Sequence, residues 1–235
     1  MTQGSVAVTG ISGFIGQRLL PLLDASPCVS NIVGVDVRDP ARRARKLSFQ
    51  RADIVNADLA PMLQGVDTVV HLAAIVGPIL DESLMIRVNC DGTRRLIDAA
   101  SRAGVRRIIR PSSAAAYGAW ENNPVPITED APLRPNPGYY PAILDAECER
   151  ILAEWAAERD GRVTTRLRVA PVVGPGAQTL FAAAATGHPP VTLRSLAPPV
   201  QVVHVDDVAS ALLLAVEQSL DGVFNVAADG WLPHE

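Results

Sequence analysis

Three glycines near the start of the chain separate a strand-like run from a helix-like run. Residues 6–20 read VAVTGISGFIGQRLL, with Gly10, Gly13 and Gly16 spaced three apart. In such a turn the first glycine allows a sharp bend, the second lets a pyrophosphate approach the backbone, and the third lets the helix pack on the strand. The helix N-terminus adds unpaired N–H groups and a partial positive charge. The pattern therefore predicts a dinucleotide-binding turn.

A carboxylate follows at the end of the next predicted strand. Asp36 lies 20 residues after Gly16. A carboxylate there can accept hydrogen bonds from both hydroxyls of an adenosine ribose and repels a 2′-phosphate, which favours NAD. The alternative is a strand-end aspartate that serves loop N–H groups. Arg38, Arg42 and Arg43 follow closely and suit a 2′-phosphate, so NADP stays open.

Short apolar runs alternate with helix-like stretches, which is typical of a parallel sheet covered by helices on both faces. We predict strands at residues 6–9, 31–36, 47–52, 67–71, 106–111, 163–169, 200–205 and 223–226, and helices at 14–24, 83–103, 144–158 and 206–217. This is an α/β fold, a Rossmann-type doubly wound parallel sheet. Residues 1–170 are predicted to form the dinucleotide-binding domain, and residues 171–235 a small substrate-binding or lid region interleaved with the last strands. The final residues read as a strand and the start of a helix, so we expect a further C-terminal part.

Composition excludes several other classes of function. The chain of 235 residues is 48% hydrophobic and carries a formal net charge of -4, which argues against a nucleic-acid groove or an anionic membrane surface. No apolar run approaches the ~18–20 residues needed to cross a bilayer. The widely spaced cysteines Cys28, Cys90 and Cys148 fit neither a disulfide framework nor a metal site. We therefore expect a cytoplasmic protein without a metal.

Several segments together resemble the extended short-chain dehydrogenases/reductases, the NAD-dependent epimerase and dehydratase family. They are TGISGFIG at residues 9–16, DTVVHLAA at 67–74, VNCDGTRRLIDAA at 88–100 and PSSAAAYG at 111–118. Later segments such as VVHVDDVASALLLAV match as well, so that the resemblance covers almost the whole chain. It implies that the cofactor is contacted by Gly10, Ser12, Gly13, Phe14, Ile15, Asp36, Arg38, Asp53, Ile54, Leu72, Ala73 and Ala74.

The catalytic residues that the resemblance implies are only partly present. Ser113 falls on the family's catalytic Ser/Thr position, four residues before Tyr117, and its hydroxyl would polarise a substrate carbonyl. The family's Tyr-x-x-x-Lys element should follow, and the segment holds Tyr139 and Tyr140 as candidate proton donors. It holds no lysine, because Lys46 is the single lysine of the chain.

Three registers of the Tyr-x-x-x-Lys element remain open. Two of them start from the tyrosines and place Ile143 or Leu144 at the lysine position. The third is anchored by the flanking residues 136–137 and 149–152; it places Pro141 at the tyrosine position and Asp145 at the lysine position, and we favour it. A nearby cation lowers the pKa of a phenol, which otherwise lies near ~10. Every register lacks that cation, which cripples a reaction that begins by removing a proton from an alcohol.

Reduction is less demanding, because the oxygen of a ketone that receives hydride needs only hydrogen-bond donors and a proton. We therefore predict an NAD(P)H-dependent ketoreductase of a small apolar or aromatic ketone, with an unusual or substrate-assisted proton donor. Such a member resembles the atypical ketoreductases of aromatic polyketide antibiotic pathways. The alternatives are a non-catalytic dinucleotide-binding regulatory module and a sugar-nucleotide epimerase or dehydratase. The resemblance also implies a homodimer paired through helices 83–103 and 144–158.

Overall fold

The computed structural model describes residues 3–77, 81–177 and 200–231. Its centre is a seven-stranded sheet in which all neighbouring strands run parallel. The strands are β1 (Gly4–Thr9), β2 (Val29–Asp36), β3 (Leu47–Arg51), β4 (Thr68–His71), β5 (Arg107–Ser113), β6 (Val163–Val169) and β9 (Gly222–Val226), in the spatial order β3-β2-β1-β4-β5-β6-β9. β7 (Val172–Val173) and β8 (Val203–His204) form a separate parallel pair. The predicted α/β doubly wound fold is confirmed.

Helices cover both faces of the sheet. They are α1 (Gly16–Ala25), α2 (Glu82–Ile86), α3 (Gly92–Ala103), α4 (Tyr140–Ala157) and α5 (Val205–Gln218), with a π-helical turn, Arg87–Asp91, joining α2 to α3. Leu19 of α1 and Leu212 of α5 belong to the core on one face, and Leu96 of α3 and Trp155 of α4 to the core on the other. No helix in the described ranges is long and apolar enough to span a bilayer.

The strand order fixes where a ligand can bind. After β1 the chain adds β2 and β3 on one side, and then returns to place β4 on the other side of β1. The carboxyl ends of β1 and β4 therefore flank the point where the strand order reverses, which is where open α/β sheets bind ligands. The glycine turn follows β1 and residues 72–77 follow β4, so both segments border this crevice.

Two element boundaries differ from the sequence prediction by more than two residues. The predicted strand 200–205 is reduced to Val203–His204, which pairs with Val172–Val173 outside the main sheet. Helix α4 begins at Tyr140 and not at residue 144. Pro141 lies in its first turn, where a proline loses no helical hydrogen bond and its fixed φ suits the helix. Residues 178–199, within the predicted lid region, lie outside the described residues.

Candidate functional site

The glycine turn closes tightly against the strand end that faces it. Gly10 has a φ of +73°, and a Cβ added to it would lie 2.6 Å from the backbone nitrogen of Ala73. A Cβ added to Gly16 would lie 2.5 Å from the carbonyl oxygen of Gly10, so that α1 rests directly on the turn. A Cβ on Gly13 would meet, within 4 Å and among the described residues, only the oxygen of Gly10. The turn therefore leaves backbone uncovered at Gly13, as a pyrophosphate cradle requires.

The Asp36 carboxylate is buried and held by the glycine turn. Its Oδ2 accepts a hydrogen bond from the Ser12 backbone N–H at 2.9 Å, and its Oδ1 accepts one from the Arg38 N–H at 3.0 Å. The Ser12 hydroxyl donates to the carbonyl oxygen of Arg38 at 2.6 Å. The carboxylate thus serves loop N–H groups, and each oxygen keeps a lone pair for a ribose hydroxyl.

The segment after β4 is fixed by hydrogen bonds to both of its neighbours. The N–H of Leu72 donates to the carbonyl oxygen of Thr9 at 3.0 Å, and Ala73 and Ala74 follow half-buried. Asn89, in the π-helical turn, accepts from the Ile75 N–H at 2.8 Å and donates to the Ile75 carbonyl oxygen at 2.9 Å. This side chain therefore supports backbone at the crevice. A π-turn of this kind is frequent at functional sites.

A buried histidine links the same elements. His71 is 2% exposed; its Nδ1 lies 2.7 Å from the Thr9 hydroxyl and its Nε2 3.0 Å from the Thr93 hydroxyl. Because Thr93 donates its own proton to the Asn89 carbonyl oxygen, it accepts from the Nε2–H of His71. Nδ1 then accepts from Thr9. Burial, with the Arg110 cation nearby, lowers the pKa of His71 to about 3, so that the ring is neutral.

The remaining predicted cofactor contacts are placed as follows. The Asp53 carboxylate accepts from the Val55 N–H at 2.9 Å and from the Asn56 amide at 2.6 Å. The Ile54 side chain is buried against α3, where a Cβ on Gly92 would lie 2.7 Å from it. Phe14 and Ile15 directly precede α1 and are half-buried, and the Arg38 side chain is exposed. All of these residues lie after the carboxyl ends of β1, β2 or β3.

Ser113 ends β5, and its hydroxyl accepts a hydrogen bond from the Ala115 N–H at 3.1 Å. No residue in the described ranges accepts the hydroxyl proton, which is left for a ligand. Tyr117 behind it is buried, donates to the Asn225 side-chain oxygen at 2.7 Å and accepts from Arg168 at 2.8 Å. Tyr117 is therefore a packed turn residue.

The two candidate tyrosines stand at the start of α4 in different surroundings. Tyr139 precedes the helix and is 38% exposed. The Tyr140 ring packs on the cluster that contains Met85, Leu144 and Cys148. Ile75 packs on the same cluster, so that Tyr140 lies near the segment that follows β4.

Two ion pairs, which sequence reasoning missed, fasten α4 to the sheet. Asp145 Oδ1 accepts from Arg110 Nη2 of β5 at 2.9 Å. One helical turn later, Glu149 accepts from Arg168 of β6, with Nη2 to Oε2 at 2.9 Å. Burial raises the pKa of the Asp145 carboxyl, although Arg110 acts in the opposite direction. The sequence signal that could have predicted these ion pairs was an arginine inside each of two apolar strands. It was accompanied by two carboxylates, Asp145 and Glu149, four residues apart on the helix.

The comparisons with known proteins agree with this geometry. The model of the NAD dependent epimerase/dehydratase family matches residues 6–227. The uncharacterized protein Rv0501 of Mycobacterium tuberculosis (strain H37Rv) is 32% identical over 238 residues, which cover 97% of this chain. The chain spans 63% of the length of that relative.

Two further proteins are similar over nearly the whole chain. The 3-diazoavenalumate denitrifying reductase of a Streptomyces species is 30% identical over 262 residues, covering 97% of this chain and 79% of the reductase. The solved structure of MoeE5 in complex with UDP-glucose and NAD is 29% identical with a TM-score of 0.82, and the match covers 98% of this chain and 78% of that one. The chain thus belongs to the NAD dependent epimerase/dehydratase family.

Proposed function

We propose that this chain is an NAD(P)H-dependent reductase of a small carbonyl compound, with Ser113 as the group that polarises the carbonyl. The observation that carries the proposal is the composition of the α4 start. Pro141 lies in the first turn, and a carboxylate, Asp145, follows one turn later where the favoured register expects a lysine. The start of α4 lacks the pair of a phenol and an ammonium group that a reaction beginning with the deprotonation of an alcohol needs. A reduction does not need that pair.

The residues around the crevice fit a dinucleotide. The uncovered backbone at Gly13 and the start of α1 suit the pyrophosphate, and the lone pairs of Asp36 suit the adenosine ribose. The buried carboxylate favours NAD. The exposed Arg38 beside it suits the 2′-phosphate of NADP, so NADP is tested as well. When bound, the cofactor supplies a hydride equivalent. The chain then has to hold the carbonyl and stabilise the charge that develops on its oxygen.

Ser113 meets that second requirement. Its hydroxyl accepts from Ala115, which leaves the hydroxyl proton to be donated to an oxygen at the carboxyl edge of the sheet. A hydrogen bond to a developing oxyanion stabilises the transition state more than the ground state. Ser113→Ala should therefore lower turnover by about 10²-fold or more while leaving NADH binding unchanged.

The expected substrate is apolar, and aromatic ketones are the first choice. The loop between β5 and α4 exposes Trp120, Val125 and Tyr139, which are 39%, 91% and 38% exposed. This loop follows the carboxyl end of β5 and leads into the α4 start. The similar Streptomyces protein is also a reductase by name, which supports a reductive direction for this chain.

The decisive assay measures NADH and NADPH oxidation with two related ketones. 1-Tetralone has a bare aryl ketone, whereas 8-hydroxy-1-tetralone carries a phenol hydrogen-bonded to the ketone oxygen. Turnover of either ketone, reduced in Ser113→Ala and unchanged in Ser30→Ala, supports the proposal. Ser30 is a matched control because it is exposed at the amino-terminal end of β2, whereas Ser113 lies at the carboxyl end of β5. Binding of NADH without oxidation in the presence of any ketone would favour the regulatory module instead.

A second candidate is a sugar-nucleotide epimerase or dehydratase. The observation in its favour is the 29% identity to MoeE5, whose structure holds UDP-glucose and NAD. This candidate predicts that UDP-glucose protects the protein against thermal unfolding and is converted in the presence of NAD. Proton NMR of the sugar anomeric region distinguishes conversion from simple binding.

A further inference from the structure

The proposed reduction leaves one requirement unmet, which is the source of the proton. Hydride addition makes the former carbonyl oxygen basic, and an alcohol forms only when that oxygen takes a proton. Tyr139 is substantially exposed, and the ring of Tyr140 packs into an apolar cluster. A phenol that acts as an acid near neutral pH needs a cation beside it, and no described residue supplies one to either tyrosine.

Asp145 is an acid at the same end of α4 that is held in place. Its side chain is 17% exposed, whereas that of its partner Arg110 is 3% exposed. Oδ1 accepts from Arg110 at 2.9 Å, and no hydrogen bond to Oδ2 occurs within the described part of the chain. The guanidinium of Arg110 therefore holds Oδ1 of the carboxyl in place, and Oδ2 is left to carry and donate a proton.

An unsatisfied hydroxyl lies beside this ion pair. Ser112 is two residues beyond Arg110 on β5, so both side chains leave the same face of the sheet, and Ser112 is nearer the carboxyl edge. Ser112 is 7% exposed, and its Oγ has no hydrogen-bond partner among the described residues. Arg110 Nη1 donates to the Pro111 carbonyl oxygen at 3.1 Å, so the guanidinium lies beside the peptide group that joins Pro111 to Ser112. A buried hydroxyl without a hydrogen-bond partner is destabilising, so a polar ligand group at this position would remove a penalty.

We propose that Asp145 is the proton donor of this reductase and that Arg110 is its positioning residue. The inference rests on the proposed function and adds to it a catalytic residue. Asp145, protonated at Oδ2, gives its proton to the substrate oxygen beneath the α4 start.

The step balances as follows. The carbonyl carbon receives hydride from the reduced nicotinamide, so that the ketone is reduced and the dinucleotide is oxidised. The π electron pair of the C=O bond moves to the oxygen, the O–H bond of Asp145 breaks, and an O–H bond to the substrate forms. The carboxylate that remains is paired with Arg110, and water from the crevice returns its proton.

The charges around Asp145 decide its protonation. On α4, Glu149 raises its pKa, and Cys148 is the neighbouring thiol; on β5, Arg110 lowers it. His71 of β4, near the same arginine, is neutral and adds no charge. Burial is the largest influence and raises the pKa of Asp145 overall. A larger share of the carboxyl is thus protonated near neutral pH than for an ordinary aspartate.

The first test needs no turnover. Infrared spectra of the apo protein labelled with ¹³C-aspartate, taken for wild type minus Asp145→Asn across pH, isolate the Asp145 carboxyl. The proton should leave above the ordinary value of about 3.9. Titration at or below that value, with NADH absent or present, would overturn the proposal whatever the enzyme does with ketones.

The second test compares the two tetralones. Asp145→Asn should reduce kcat on 1-tetralone by about 10²-fold and remove the loss of rate that accompanies deprotonation of Asp145 as the pH rises. It should affect 8-hydroxy-1-tetralone less, because that substrate carries its own phenolic proton. Asp145→Glu should recover part of the rate. Glu147→Gln is the control, since Glu147 lies on the same helix and bonds the surface arginines Arg94 and Arg150.

Two outcomes separate this inference from the function on which it rests. A wild type that reduces neither tetralone nor any other ketone refutes the reductase itself. A wild type that turns over 1-tetralone, while Asp145→Asn keeps its kcat and pH profile, refutes only the role of Asp145. Thermal melting and NADH affinity of Asp145→Asn are measured alongside, and wild-type values in both exclude a merely structural loss.

Discussion

The buried neutral histidine at the end of β4 makes stability depend on pH in a defined window. His71 is held between the Thr9 and Thr93 hydroxyls, and burial lowers its pKa to about 3 from an ordinary value of 6.5. Above about pH 6.5 the ring is neutral in both the folded and unfolded chain, and the full stabilisation is present. Below it the unfolded chain binds a proton that the folded chain refuses, so stability falls as pH falls toward about 3.

The size of the effect follows from the two pKa values. Each pH unit inside the window changes the free energy of unfolding by about 1.4 kcal/mol. Lowering the pH from 6.5 to about 4.5 therefore removes about 2 kcal/mol through this one group, because the unfolded ring is already half protonated at pH 6.5. Such a loss is a large fraction of the ~5–15 kcal/mol stability of a typical domain.

The assay is urea unfolding of wild type and His71→Asn at several pH values. Asparagine keeps a donor and an acceptor but does not titrate, so the difference between the two proteins cancels the contributions of the other groups. The difference in unfolding free energy should shrink by about 2 kcal/mol between pH 6.5 and about 4.5. NMR of the His71 ring in the wild type should show neutral imidazole over this range. Parallel stability curves, or a ring that protonates near pH 6.5, would refute the reasoning.

Three further predictions follow from the geometry of the site. Gly10→Ala should abolish NADH binding, measured by fluorescence quenching, because the φ of +73° and a Cβ contact of 2.6 Å with backbone both oppose a side chain; wild-type affinity would contradict this. Arg168→Met should lower the unfolding free energy by about 3–5 kcal/mol, since it leaves the Glu149 carboxylate buried and unpaired, and a loss below 1 kcal/mol would contradict that account. Asn89→Ala should raise hydrogen exchange at the Ile75 amide, which Asn89 binds at 2.8 Å; unchanged exchange would show that the segment is held otherwise.

The sheet was predictable because its strands are short apolar runs placed between helices. The glycine turn was predictable because residue type and spacing fix it, and the observed φ of Gly10 agrees with a tight turn. The start of α4 was missed, because the helix was predicted to begin at residue 144 and Pro141 was assigned to the tyrosine position of the Tyr-x-x-x-Lys element. A proline is also a signal for the first turn of a helix, and that interpretation would have placed the start at Tyr140.

The buried ion pairs escaped prediction for a different reason. A single arginine in a strand gives no indication of whether its guanidinium reaches solvent or a carboxylate across the core. Asp145 lies 35 residues after Arg110, and Glu149 lies 19 residues before Arg168. Only the packing of α4 on β5 and β6 brings each pair together. The sequence showed only that Asp145 stands where the family has a lysine. The packing shows that this carboxyl is paired with Arg110.

The transfer of deuterium tests the central claim most directly. Purified protein is incubated with 1-tetralone and NADH or NADPH deuterated at the nicotinamide C4, in separate experiments for each face of the ring, and the product is analysed by mass spectrometry and NMR. We predict an alcohol that carries deuterium on the carbinol carbon, from one face only. A bound dinucleotide that delivers no deuterium to any ketone, with UDP-glucose converted in its place, would contradict the account.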